Sequence, residues 1–300
     1  MANAKILRVD MATLKTARET PADDELVLGG RSLIVHRLLK EVPPTCDPLR
    51  RHNKLLLLPG VLGGTLIPCS GRLSAGGKSP LTGGVKEANG GGTAGHKLAR
   101  LGIKSLIFEG LPEKRDAAYL LLISKDSVEF VPCPELRGMG VYKTAQKLLQ
   151  RYGKKVSVIL IGPAGELQLT AAGITNTDRD GEPSRYCARG GLGALMGSKG
   201  VKAVVLDDEG TTVCPSHDRE KLDRLIRECA RLVKANPQTA EVLPKFGTDS
   251  MLNVTNPLGG LPTRNFSTGT FEGADKIGPE ALRAFITSRG GDPTHACMPG

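Results

Sequence analysis

Short apolar runs separated by turn residues dominate the first two-thirds of the chain. Strands are expected at residues 5–10, 54–58, 104–109, 156–161 and 201–206, with a further pair at 119–123 and 128–131. Two stretches instead have apolar residues at helical spacing, at 31–42 and 141–152. This mixture of strands and helices favours an α+β fold.

The pattern changes after Asp207 and Asp208, where a long amphipathic helix follows. Ser216 is placed to cap this helix, which is predicted to extend to Ala235. Its apolar face consists of Leu222, Leu225, Ile226, Cys229, Leu232 and Val233. Cys229 is expected to lie in the core. We therefore expect a first domain over residues 1–210 and, over 211–300, the beginning of an α-helical domain that is truncated.

The first domain contains a faint internal repeat. When the sequence is shifted by 98 residues, Gly92, Gly95, Gly102 and Lys104 align with Gly190, Gly193, Gly200 and Lys202. Each copy contains a glycine turn, a short helical stretch, a glycine and an apolar strand. Chance agreement in a glycine-rich chain is the alternative. The matching strands favour a duplication, which would suit a ligand with two similar anionic arms.

Composition narrows the classes of function. The formal net charge of +10 indicates either an anionic partner or a solvated basic surface. Aromatic residues make up 3% of the chain and Trp is absent, so a nucleic-acid stacking platform is not expected. No run of about 18 apolar residues predicts a membrane span.

The seven cysteines do not form a disulfide pattern. Their number is odd, no CxxC pair is complete, and no secretory signal opens the chain. A cytoplasmic location is therefore expected, with the cysteines as free thiols or metal ligands.

Two glycine-rich segments carry the candidate chemistry. In the first, over residues 70–92, Arg72 and Lys78 lie among glycines and are followed by Asn89, Gly90 and Gly91. In the second, over residues 185–193, Arg185, Tyr186 and Arg189 precede Gly190 and Gly191. Successive amides in glycine turns form anion-binding concavities, and arginine and lysine add positive charge. A helix starting near Thr93 would direct its positive end at the same anion.

Phosphate binding is therefore predicted for both segments, although neither matches a nucleotide-binding motif. The P-loop spacing is missing, and so is the dinucleotide fingerprint with its downstream acidic residue. The alternative is a set of tight turns in a small β domain.

Several long runs resemble the opening domain of the aldehyde:ferredoxin oxidoreductase family. They are NKLLLLPGVLGG, SGRLSAGGKSPLTGGVKEANGGGTAG, LGIKSLIFEG, IGPAGE and RGGLGALMGSKGVKAVV. PKFGTDSMLN and LPTRNFSTGTFEGA are similar to the start of the family's helical part. The match runs in order over essentially the whole chain. It implies a β-sheet base domain with an internal duplication, beneath two helical domains.

The resemblance also implies a cofactor, in which two pterin-dithiolene molecules hold one tungsten (sometimes molybdenum) atom. It assigns Arg72, Asn89 and Gly91 to one pterin phosphate, and Arg185 and Tyr186 to the other. The backbone carbonyls of Asn89 and Tyr186 would face a Mg²⁺ ion that bridges the phosphates. Lys78 and Arg189 are expected to complement the charge. The family often has a small residue at the position of Tyr186.

A 4Fe-4S iron–sulfur cluster is the other cofactor that the resemblance implies. Only Cys297 lies where the cluster motif begins, and a free thiol there is the alternative. The implied activity is oxidation of an aldehyde to a carboxylic acid in an oligomer, with ferredoxin or an iron–sulfur subunit as electron acceptor.

Three alternatives to this activity stay open. They are the tungsten subunit of a benzoyl-CoA reductase acting on an acyl-CoA, a non-catalytic pterin-binding remnant and, from charge alone, a nucleic-acid binder.

Overall fold

A computed structural model describes residues 4–114, 116–212 and 215–293 of the chain. The chain divides into two compact units, Met1–His217 and Asp218–Gly300. The first unit thus extends to His217, whereas the sequence pattern placed the end of the first domain at about residue 210.

The first unit contains two six-stranded sheets and several short helices. Its strands are β1 (Lys5–Asp10), β2 (Lys15–Glu19), β3 (Leu55–Pro59), β4 (Leu73–Lys78), β5 (Val85–Gly90), β6 (Ile103–Glu109), β7 (Tyr119–Ile123), β8 (Val128–Pro132), β9 (Ser157–Leu160), β10 (Ile174–Asn176), β11 (Arg185–Cys187) and β12 (Val201–Leu206). Its helices are α1 (Asp23–Leu26), α2 (Gly30–Glu41), α3 (Ala94–Arg100), α4 (Val141–Tyr152), α5 (Pro163–Glu166) and α6 (Leu192–Ser198), with a 3-10 turn at Pro134–Leu136.

Both sheets have the same topology. The first has the order β2-β1-β6-β3-β4-β5, and the second, read from its opposite edge, has β8-β7-β12-β9-β10-β11. In each, one pair of strands is parallel, β1 with β6 and β7 with β12. The other neighbours are antiparallel. Each sheet is therefore one copy of the same strand arrangement.

The two sheets share a central hydrophobic core and are covered by one helix each on their outer faces. Alternate residues of β3 show this division. Leu55 and Leu57 face the central core, whereas Leu56 and Leu58 pack with α2. Outside the second sheet, α4 packs against β9 and β12 through Ala145 and Leu148. The unbroken apolar runs in the sequence are explained by strands that are buried on both faces.

Individual residues confirm the duplication. Gly92 and Gly190 both have positive φ angles, +96° and +88°, and Gly102 and Gly200 have +70° and +68°. Lys104 and Lys202 are both buried and both donate to backbone carbonyls, those of Leu26 and Leu28 in one half and that of Met139 in the other. The α+β fold with a duplicated sheet domain, followed by helices, is therefore confirmed.

The second unit is helical. It contains α7 (Arg219–Ala235), α8 (Leu243–Phe246), α9 (Leu252–Thr255), α10 (Ala274–Ile277) and α11 (Pro279–Ser288), with a π-helical turn at Gln238–Val242 and a 3-10 turn at Gly247–Met251. In the parts of both units that the structure describes, none of the helices has the length and apolarity needed to cross a bilayer.

Two expectations about α7 were wrong. The helix is capped by Asp218, whose carboxylate accepts a hydrogen bond from the amide of Lys221 at 2.8 Å, and not by Ser216. The reason is that α7 begins at Arg219, so that Asp218 holds the capping position. Cys229 is only half-buried, and none of the residues of α7 is buried.

Candidate functional site

The two glycine-rich segments meet where β5 and β11 lie side by side at the edges of their sheets. A Cβ atom added to Gly90 would lie 3.1 Å from the carbonyl carbon of Tyr186 and 3.2 Å from Sγ of Cys187. A side chain there would push the strands apart, so the absence of a Cβ permits this close approach. The structure therefore brings Asn89 and Gly90 together with Arg185 and Tyr186.

Asn176, at the end of β10, joins the two segments. Its side-chain amide nitrogen donates to the carbonyl of Gly91 at 2.9 Å and to that of Arg185 at 3.0 Å. Its buried Oδ1 has no hydrogen-bond partner among the described residues and lies against Gly92. Asn176 was not singled out from the sequence, where an isolated Asn before a Thr gives no signal.

Arg72 lies on the first segment with its side chain exposed. Its Nε donates to Oδ1 of Asn89, and one terminal nitrogen donates to the backbone carbonyl of Asn89 at 3.3 Å. The rest of the guanidinium fork remains available to an anion. An open concavity of about 680 Å³ adjoins it, lined by Arg72 and Asn89 and by the apolar residues Val61, Leu62 and Ile67.

On the second segment, the half-buried Arg185 has its Nε 3.8 Å from a carboxylate oxygen of Asp178. Arg189 is exposed, and among the described residues it has neither an ion pair nor a hydrogen bond. Tyr186 follows Arg185 and is exposed, and partial burial together with the nearby Tyr142 raises the pKa of its hydroxyl. Two arginine side chains therefore line this segment. Of the two, Arg185 alone has an ionic contact among the described residues, and that contact with Asp178 is long.

Gly190 and Gly191 form the turn that leads into α6, both with positive φ angles. The carbonyl of Gly190 accepts a hydrogen bond from Ser79 of the first half at 2.7 Å. In the equivalent turn before α3, the amide of Thr93 donates to the carbonyl of Thr177 at 3.0 Å. This amide at the start of α3 is thus committed to the other half.

Lys78 does not join this cluster, contrary to the prediction. Residues 73–78 form β4, which pairs with β5, so the glycines Gly76 and Gly77 lie in a strand and not in a turn. Lys78 is at the opposite end of β4 from Arg72, and its ammonium donates to the carbonyls of Pro44 and Cys46 at 2.5 and 2.6 Å. The two glycines permit close packing, because a Cβ on Gly77 would lie 2.7 Å from the carbonyl of Lys54.

His96 supports the wall of the concavity. Its Nδ1 accepts a hydrogen bond from the amide of Gly64 at 3.1 Å, and its ring packs against Gly71, next to Arg72. Burial, together with the charges of Arg100 and Arg179, lowers the pKa of His96. The imidazole is therefore neutral near pH 7 and acts as an acceptor that holds the loop.

Direct metal ligands are not grouped here, because the described residues contain no cluster of three or more His, Cys, Asp or Glu side chains. Burial raises the pKa of the Cys187 thiol to about 12, which disfavours the thiolate form that binds metals. Cys69 borders the concavity and is exposed. Cys297, the candidate cluster ligand, lies outside the described residues.

Comparison with known proteins identifies similar sequences over both units. Residues 6–208 match the family described as aldehyde ferredoxin oxidoreductase, N-terminal domain, and residues 224–299 match the family described as its domains 2 and 3. The tungsten-containing aldehyde ferredoxin oxidoreductase of Thermococcus kodakarensis is 37% identical over 99% of this chain and 48% of its own length. That of Pyrococcus furiosus is 36% identical over the same shares. The chain thus spans about half the length of these relatives.

A solved structure is similar as well. It is the active-site complex BamBC of benzoyl coenzyme A reductase in complex with 1,5-dienoyl-CoA. The similarity has a TM-score of 0.74 and 27% identity, over 87% of this chain and 39% of the other.

Proposed function

Because this chain belongs to the aldehyde ferredoxin oxidoreductase family, we propose that its first unit binds the two phosphates of a tungsten-pterin cofactor. The whole enzyme would oxidise aldehydes to carboxylic acids, with ferredoxin as the electron acceptor. The observation that carries the proposal is the meeting of the two glycine-rich segments, one from each half of the duplication. A ligand with two similar anionic arms matches a site that is built from two similar halves.

The chemistry of the site fits this group. Arg72 and Arg185 offer planar guanidinium forks that suit phosphate oxygens, and Arg189 adds an exposed positive charge. A Cβ on Gly91 would have only the Cδ of Arg185 near it, at 3.7 Å, so Gly91 leaves room for an anion beside this arginine. The adjoining concavity of about 680 Å³ is of the size that takes a small organic cofactor.

In this proposal each half binds one phosphate. Arg72, Asn89 and Gly91 would bind one, and Arg185 and Tyr186 the other. When bound, the tungsten centre supplies the two-electron oxidation chemistry. The residues of this chain bind the cofactor and orient it, and their positive charges offset its phosphates.

A Mg²⁺ ion between the phosphates is compatible with the backbone around Asn89 and Tyr186. The carbonyl of Asn89 accepts a long hydrogen bond from Arg72, at 3.3 Å. The carbonyl of Tyr186 lies close to Gly90, which follows Asn89. Both would offer oxygen ligands of the hard type that Mg²⁺ prefers.

The test is the metal and pterin content of the purified protein. We expect tungsten and pterin in the wild type, measured by mass spectrometry and by fluorescence of the oxidised pterin. The double variant Arg72→Ala/Arg185→Ala should lose most of both. A control that removes two exposed arginines elsewhere, Arg18→Ala/Arg224→Ala, should retain them. A wild type without tungsten and pterin would contradict the proposal and favour a non-catalytic remnant.

The structural similarity to the benzoyl coenzyme A reductase complex supports a second candidate. In that case the same cofactor site would serve reduction of an aromatic acyl-CoA. Activity assays of the tungsten-loaded protein with a panel of aldehydes and with benzoyl-CoA would separate the two. Aldehyde oxidation without benzoyl-CoA turnover is the result we expect.

A further inference from the structure

A chain of side-chain hydrogen bonds extends from a buried carboxylate to Arg72. Ser74 donates its hydroxyl hydrogen to Oε1 of Glu87 at 2.9 Å, and Asn89 donates from its amide nitrogen to the Ser74 hydroxyl oxygen at 3.0 Å. Oδ1 of Asn89 then accepts from Nε of Arg72. The other carboxylate oxygen of Glu87 accepts from Arg31 at 3.1 Å.

The pairing of β4 with β5 produces this chain. Ser74 and Asn89 are directly opposite each other, and Glu87 is opposite Gly76, so all these side chains share one face of the hairpin. Gly76 has no side chain, and Ile34 of α2 occupies the space that one would take. The chain has a buried end and an open end, because the Glu87 side chain is 6% exposed whereas Arg72 and Asn89 are exposed.

The buried carboxylate fixes the direction of every hydrogen bond in the chain. A carboxylate only accepts, and a serine hydroxyl has one hydrogen, so Ser74 must donate to Glu87. Its oxygen can then only accept from Asn89, which places the NH₂ group of Asn89 on Ser74 and the amide oxygen on Arg72. Without Glu87 the hydroxyl could turn, and the amide of Asn89 could flip and present its NH₂ group to the guanidinium.

We propose that Glu87 and Ser74 are positioning residues, which lock the amide of Asn89 so that its oxygen holds the Arg72 guanidinium over the concavity. This role rests on the proposed function of Arg72 as a phosphate ligand. It extends that function to two residues that line the same concavity as Arg72 and Asn89. Arg31 pairs with Glu87 at the end of the hydrogen-bond chain opposite Arg72. Its side chain is 78% exposed, so the fixed orientation of the Asn89 amide does not depend on it.

The position of Arg72 can be read without any cofactor. In protein with ¹⁵N-labelled arginine side chains, the Nε proton of Arg72 should exchange slowly with water, because Asn89 accepts its hydrogen bond. Ser74→Ala and Glu87→Leu should each accelerate this exchange roughly tenfold, as expected for loss of one hydrogen bond to a charged group. Glu87→Gln retains an oxygen that accepts from Ser74 and should exchange at nearly the wild-type rate.

A matched control is Ser105→Ala. Ser105 is also a buried serine of the first sheet, but its hydroxyl has no hydrogen-bond partner among the described residues. This variant should leave the exchange of Arg72 unchanged. Thermal unfolding of each variant verifies that the comparison is made between folded proteins. Unchanged Arg72 exchange in both Ser74→Ala and Glu87→Leu would overturn the proposal.

Cofactor content gives a second, separate readout. In the wild-type background, Ser74→Ala should increase the rate of tungsten and pterin loss roughly tenfold, in line with other residues that orient a ligand-binding group. In an Arg72→Ala background it should add nothing, because the arginine through which it acts is gone. An equally large effect in both backgrounds would show a general structural role. If the wild type contains no cofactor, the proposed function fails, while the exchange measurement still decides the role of Glu87 and Ser74.

Discussion

The junction between the two halves can be probed by the substitution Gly92→Ala. Gly92 has a φ of +96°, and it lies directly against Asn176, which ties the two glycine-rich segments together. A Cβ added there would lie 2.8 Å from the backbone carbonyl of Thr177 and would overlap the amide of Asn176. The carbonyl of Thr177 already accepts the amide of Thr93 at 3.0 Å, so it has little freedom to move.

The cost has two parts that the structure allows us to separate. Left-handed backbone costs an L-residue about 1–2 kcal/mol. Overlap in a packed interior adds about 1–3 kcal/mol. Gly102 has a similar φ of +70°, but a Cβ there would meet nothing within 4 Å. We therefore expect Gly102→Ala to lower the free energy of unfolding by about 1 kcal/mol and Gly92→Ala to lower it by about 3 kcal/mol.

Equilibrium unfolding in urea measures both values, with the dependence on denaturant concentration checked for two-state behaviour. The variant at Gly92 should also lose cofactor faster, because displacement of Asn176 separates Gly91 from Arg185. A Gly92→Ala variant no less stable than Gly102→Ala would refute the reasoning. The two halves would then not be held in rigid contact at Asn176.

Two further predictions concern charge and thiol reactivity. Burial alone would raise the pKa of Glu41, but hydrogen bonds from Arg8, Lys54 and Arg37 outweigh it and hold that pKa well below its usual value near 4.5. Glu41→Gln should therefore lower the free energy of unfolding by about 2 kcal/mol at pH 7. That difference in stability should shrink as the pH falls below about 4.5, where the carboxylate of the unfolded state protonates. Urea titrations at several pH values measure it, and a difference that stays constant with pH would contradict the reasoning. In the native protein, iodoacetamide should modify the exposed Cys69 quickly and the buried Cys187 only after unfolding, since burial raises the pKa of Cys187 to about 12. Peptide mass mapping measures both rates of modification. Equal rates would contradict the close contact of β5 with β11.

Where hydrophobic periodicity was strong, the sequence was a good guide to the elements. The predicted limits of β1, α4 and β12 agree with the structure. The 98-residue repeat also proved reliable, since the pairs Gly92 with Gly190 and Gly102 with Gly200 have matching positive φ angles. The limits of these elements depend on the local hydrophobic pattern. The repeat depends on backbone conformations with positive φ, which favour glycine regardless of the tertiary contacts around them.

Tertiary contacts, in contrast, decided the features that the sequence analysis missed. The first glycine-rich segment was interpreted as a set of anion-binding turns. Gly76 and Gly77 belong instead to β4, where α2 and α6 pack so closely that Ile34 and Leu195 occupy the space of their side chains. The position of Lys78 was mispredicted for the same reason. The extended strand β4 separates Lys78 from Arg72, whereas a turn would have brought the two residues together.

The duplication explains why the two halves of the candidate site have similar backbones but different side chains. The 98-residue offset that relates the halves pairs Glu87 with Arg185, and their strand partners Gly76 and Asn176 occupy equivalent positions. The first half thus has an acidic residue where the second has its arginine, and it supplies Arg72 from the segment before β4. An arginine at position 87 would face Arg72 across Ser74 without a counter-charge, whereas Glu87 directs Arg72 through Ser74 and Asn89. What the two halves retain in common is the backbone that brings β5 to β11, while the positive charge comes from the segment before β4 in the first half and from β11 in the second.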